Sequence, residues 1–98
     1  MTDFREVDPA ELRVPPSRAQ GADPEKLSRQ IYLFGRSTEG MPVPWVYEGA
    51  DGALVLYNGV TRATRVAKLE PGILIQVEVI GTLPQAYASL PRIGDLLP

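Results

Sequence analysis

The chain has 98 residues and a formal net charge of −2. This fits one domain with little room for a second, and it offers no basic surplus, so any nucleic-acid contact has to be local. There is no cysteine and no histidine, which excludes disulfides, thiol catalysis, zinc of the Cys/His type and histidine acid–base chemistry. No apolar run approaches the ~18 residues that span a bilayer, and the acidic opening stretch MTDFREVDPAELR lacks the apolar segment of a secretory signal, so a cytoplasmic protein is expected.

Ten prolines and nine glycines divide the chain into short elements rather than a helical bundle. Residues 4–7 alternate and predict a first strand. Asp8-Pro9-Ala10-Glu11-Leu12 reads as a single helical turn, with Asp8 as N-cap and Pro9 in the first helical position. Val14-Pro15-Pro16-Ser17 is extended or turning, because each proline disfavours helix in the residue before it. Asp23-Pro24-Glu25-Lys26 is a helix start. Leu27, Ile31 and Phe34 follow on one helical face, and Gly35 is placed to end the helix. Residues 36–41 are a polar loop.

Residues 43–47 are β-prone, and Pro44 among them predicts a strand start or a sheet edge. Glu48-Gly49-Ala50-Asp51-Gly52 is a turn of hairpin length. Residues 53–57 form a second strand of this pair, apolar enough to be buried on both faces. Val60–Leu69 reads as helix, stopped by Glu70-Pro71-Gly72. Residues 73–80 are the most strand-like of all, with β-branched Ile75, Val77 and Val79. Residues 84–90 predict a short helix, followed by a tail. The order gives a small α/β or α+β domain, 1–98, with a mixed sheet and few helices.

The stretch with chemical content is Tyr57-Asn58-Gly59-Val60-Thr61-Arg62-Ala63-Thr64-Arg65-Val66-Ala67-Lys68. Asn-Gly between apolar runs is normally a hairpin signal. Here the periodicity after it is helical: Ala63, Val66 and Ala67 fall on one side, and Arg62, Arg65 and Lys68 mostly on the other. The segment therefore reads as strand, glycine turn, helix. The first helical turn leaves backbone N–H groups unpartnered at the positive end of the dipole. Gly59 permits close approach, Thr61 offers a hydroxyl, and Arg62 offers a planar fork suited to phosphate oxygens. These are the parts of an anion site. On the same pattern Thr61 also reads as a plain cap and the arginines as a solvated face, and local pattern alone favours this plainer reading.

From about residue 4 to residue 80 the order of parts resembles the ParB N-terminal and sulfiredoxin-like superfamily. The parts are Ser17-Arg18-Ala19-Gln20, the helix from Leu27 to Gly35, Met41-Pro42-Val43, Asp51-Gly52, the box Gly59-Val60-Thr61-Arg62, and Ile75-Gln76-Val77-Glu78-Val79-Ile80. The resemblance implies a bacterial-type nucleotide-binding fold whose box cradles phosphates, with ATP or another nucleoside triphosphate and Mg²⁺ as the expected ligand. It implies Gly59, Thr61 and Arg62 as phosphate residues, with Arg18 and Gln20 facing the same pocket. Lys26 looks like the lysine of the sulfiredoxin helix start, and Thr61 looks like the residue before the arginine in the box of free serine kinases. Asn58 and Arg65 complete the candidate set. Val60 stands where sulfiredoxin has its cysteine, so that activity is excluded. The histidine or acidic residue common in the serine-kinase and partition versions of the box is also missing. A centromere binder of the ParB type, with a helix-turn-helix domain after this one, is not expected.

Four functions remain open. The first is binding of a nucleotide or other phosphorylated ligand at the box. The second is an enzyme of the same fold, a phosphotransferase, ATPase or nuclease, with Glu39 and Glu25 as candidate catalytic carboxylates; each also reads as a surface or helix-dipole charge. The third is a protein-interaction module that has lost the ligand, built on Trp45, Tyr47 and the Pro-rich tail, although core packing is the expected role of Trp45. The fourth is DNA binding through Arg62, Arg65 and Lys68.

Overall fold

Two helix starts set the frame, and they are built differently. The Asp23 carboxylate accepts hydrogen bonds from the Glu25 and Lys26 amides at 2.9 and 3.3 Å and launches α1, Pro24–Phe34, with Pro24 in the first turn. Gly35 ends it at φ 53°. The second helix, α2 (Val60–Leu69), starts from Gly59 in the left-handed region, at φ 108°, with no side-chain cap. The computed structural model describes residues 2–98. Their strands are β1 (Asp3–Val7), β2 (Trp45–Glu48), β3 (Leu54–Asn58) and β4 (Ile75–Thr82). Single 3₁₀ turns lie at Pro9–Glu11, Pro16–Arg18 and Ile93–Leu96, the first capped by Asp8 as its sequence predicts.

The strands form one mixed sheet in the order β1-β4-β2-β3. β1 runs antiparallel to β4, β4 parallel to β2, and β2 antiparallel to β3. The parallel pair needs a crossover, and α2 supplies it. The fold is thus the small α+β domain that the element order predicts. Alternation along the strands sends Ile75, Val77, Val46 and Leu56 to one face. There they pack with Val60, Ala63, Val66 and Ala67 of α2 and with Leu12, Val14 and Ile93. Among the described residues no helix is long and apolar enough to cross a membrane.

Several expectations are corrected. Pro44 marks a strand start but not a sheet edge: β2 lies between two partners, and the Pro44 carbonyl accepts from the Glu78 amide at 2.9 Å. In β3 only Val55 and Leu56 are fully buried, while Tyr57 stays exposed. The outer edge of β3 is closed by residue 13, whose amide donates to the Leu54 carbonyl and whose carbonyl accepts from Leu56. On its other side residue 13 bridges Arg92. Residues 84–90 are irregular rather than helical. The Asp51 carboxylate fixes them, accepting from the amides of Tyr87 and Ala88, the latter at 2.8 Å. Trp45 is not in the core. It is 42% exposed on the sheet face away from the helices. Along the apolar stripe of α1, Leu27 is buried, Ile31 half-buried, and Phe34 55% exposed.

Candidate functional site

Gly59 is where the strand stops and the helix begins, and two constraints hold it as glycine. Its φ of 108° suits no side chain well. A Cβ there would also lie 2.8 Å from the Pro44 Cβ and 3.0 Å from the Arg62 Nη2. Because Gly59 has no side chain to offer, the first-turn amides of Val60, Thr61 and Arg62 meet no protein acceptor among the described residues. The first intrahelical bond is the one from Ala63 to the Gly59 carbonyl, 2.9 Å. An uncapped helix start of this kind carries partial positive charge.

Around it lies a cleft of about 230 Å³ lined by Arg18, Lys26, Gln30, Asn58, Gly59, Val60, Thr61 and Arg62. Arg18 arrives from the 3₁₀ turn that Pro16 initiates, and Lys26 from the first turn of α1. Arg62 donates through Nη2 to the Asn58 Oδ1 at 3.2 Å, which ties the guanidinium to the end of β3. Its Nε is buried and has no partner. Burial lowers the Arg62 pKa below its ordinary value, yet a guanidinium remains charged at neutral pH. Arg18, Lys26 and Arg62 make no ion pair among the described residues, and no carboxylate lines the cleft. A partly desolvated cation with no counter-charge is costly alone and favourable beside an anion.

Gln30 and Arg62 also form the wall of a second cavity, about 220 Å³, lined further by Phe34, Ser37, Glu39, Gly40, Met41, Pro42 and Arg65. The Gln30 Oε1 is buried without a partner. Arg65 is 1% exposed and is held through its two terminal nitrogens, while its Nε has no partner. Its Nη1 donates to the Gly35 and Ser37 carbonyls at 2.6 and 2.8 Å. Its Nη2 reaches the Met41 Sδ at 3.4 Å, and the guanidinium sits 5.6 Å from the Phe34 ring centroid. Among the candidates, then, Arg18, Lys26, Asn58, Gly59, Thr61 and Arg62 share one cleft. Arg65 does not line it, because its fork is spent on backbone carbonyls. Gln20 is also separate, turned to a groove beside Ala22 and Leu96.

The two carboxylate candidates share no cavity. Glu39 lines the second compartment, while Glu25 is exposed in the first turn of α1 and lines neither space. Its position complements the helix dipole. Among the described residues no group of three acidic side chains is arranged to hold a metal. Two lining residues lie outside the candidate set: Val60, inside the box itself, and Gln30, four positions after Lys26 and so on the same face of α1. No model of a known protein family matches the chain, and a search of curated proteins finds no match.

Proposed function

We propose that the protein binds a phosphorylated ligand, in the first place a nucleoside triphosphate, with its phosphates in the cleft between Arg18, Lys26 and the start of α2. One observation carries the reading: three cations without counter-charge and three free amides converge on a cleft that contains no carboxylate. The ParB/sulfiredoxin-like order of parts supports the same reading. Gly59 brings the backbone close, the amides of Val60, Thr61 and Arg62 serve as donors, and Arg62 adds a planar charge-assisted fork. The adjoining compartment, walled by Phe34, Met41 and Pro42, is of a size and polarity to take the ring of such a ligand.

Binding is preferred to phosphotransfer or nuclease chemistry because the cleft lining has no carboxylate to act as base or to hold Mg²⁺. A panel of nucleoside triphosphates with Mg²⁺, read by thermal unfolding, tests the proposal. A ligand at ~100 times its Kd contributes ~2.7 kcal/mol, which for a domain of this size is a rise of about 10 °C or more. The Arg62→Ala variant is expected to show none. No rise with any nucleotide at millimolar concentration, or an undiminished rise in Arg62→Ala, overturns the reading.

A further inference from the structure

The sheet face turned away from α1 and α2 carries an aromatic and acidic row. Phe4 on β1 lies directly across from Glu78 on β4, and Trp45 on β2 is the register partner of Glu78 on its other side. Tyr57 on β3 continues the row, stacked on Trp45 with centroids 6.4 Å apart and planes within 9°. Tyr47 meets Tyr57 edge-on at 5.7 Å. Phe4, Trp45 and Tyr57 are 49%, 42% and 63% exposed. Glu78 is half-buried between two aromatic rings, and its carboxylate has neither a hydrogen bond nor an ion pair among the described residues. Glu6, two residues along β1 from Phe4, adds a second carboxylate to the same face.

Among the described residues no strand places a basic side chain on this face. Arg5 is the only basic residue in any strand; it stands opposite Val77 on the helix side, and its guanidinium is bound to Asp3 and Glu48. A half-desolvated carboxylate flanked by aromatic faces is complementary to a flat, weakly hydrated cation, which pairs with the acid and lies over the rings. We propose that this face docks an arginine-bearing segment of a partner protein, with a guanidinium seated on the Trp45–Tyr57 pair and bound to Glu78. Lysine fits less well, since its compact ammonium neither stacks nor forks. A nucleic acid would set its phosphates against Glu6 and Glu78. A second copy of this chain, docked face to face about a two-fold axis, would set Glu78 against the same acidic row.

Trp45 is the single tryptophan of the chain, so its fluorescence reports this face alone. The probe is a short peptide of alternating arginine and glycine, compared with the same peptide carrying citrulline, which keeps the shape and removes the charge. The expected result is a saturable change in Trp45 emission with the arginine peptide and none with the citrulline peptide. Glu78→Gln is expected to weaken binding roughly fivefold to tenfold, Tyr57→Ser to weaken it as well, and Arg62→Ala to leave it unchanged. Both face variants are surface changes, and an unaltered melting curve verifies their fold. No saturable change up to millimolar peptide, an equal response to citrulline, or undiminished binding by Glu78→Gln overturns the proposal. So does sedimentation of the free protein as a dimer that shields Trp45.

Discussion

Arg62 and Arg65 are three positions apart on one helix and have opposite fates. Each keeps a buried Nε without a partner, but Arg62 faces the cleft. Arg65 spends its fork on the carbonyls that end α1 and begin the next loop. The difference was not legible in the sequence, because carbonyls leave no mark there and a helical wheel places both arginines on the polar side. The box itself was legible. Asn-Gly followed by helical periodicity allows few backbone paths, and Gly59 meets two demands at once. Gly59→Ala is expected to cost about 1–3 kcal/mol through the positive φ and the clash with Pro44, measured by urea unfolding. Trp45 was misread for a related reason: a large aromatic in a β-prone run belongs to whichever face the register gives it, and the bulge at Trp45/Val46 helps set that register.

At the scale of elements, α1 is held less by its apolar stripe than by its end. Leu27 is its one fully buried side chain, and Arg65 clamps the turn that follows Phe34. Arg65→Ala is expected to cost about 2–4 kcal/mol, since it empties a buried site and strands two carbonyls. Hydrogen exchange should quicken in the last turn of α1 before it does in β4. The helix predicted at 84–90 fails for a comparable reason. Its composition permits a helix, but the long-range Asp51 carboxylate claims the amides of Tyr87 and Ala88. Those backbone hydrogen bonds, Ala88 first and then Tyr87, lower the Asp51 pKa below the ordinary carboxylate value. The folded form thus prefers the ionised group. The resulting stability is whole above about pH 4, the unfolded carboxylate's range, and is lost as pH falls through the depressed folded value. Asp51→Asn should flatten the acid limb of the Tm–pH curve and release protection at the Tyr87 and Ala88 amides.

For the molecule as a whole, the α2 boundaries and the β2–β3 hairpin were plain in the sequence, and the strand expected at 73–80 lies two residues later, at Ile75–Thr82; the sheet order was not legible, because the pairings of β4 with β1 and β2 are remote along the chain. β4 is the hub: it hydrogen-bonds to β1 on one side and to β2 on the other. Residue 13 is clasped between β3 and Arg92. Such topology folds slowly for its size, since distant segments must meet before any pairing rewards them. The same clasp has a consequence for biosynthesis. A nascent chain that has emerged only as far as α2 lacks the central strand that β1 and β2 require and the Arg92 segment that backs residue 13 where it seals β3. Pairing of the whole sheet is therefore expected only once the segment up to residue 93 is available. Until that moment β1 and the β2–β3 hairpin emerge as unpaired edges, open to chaperones.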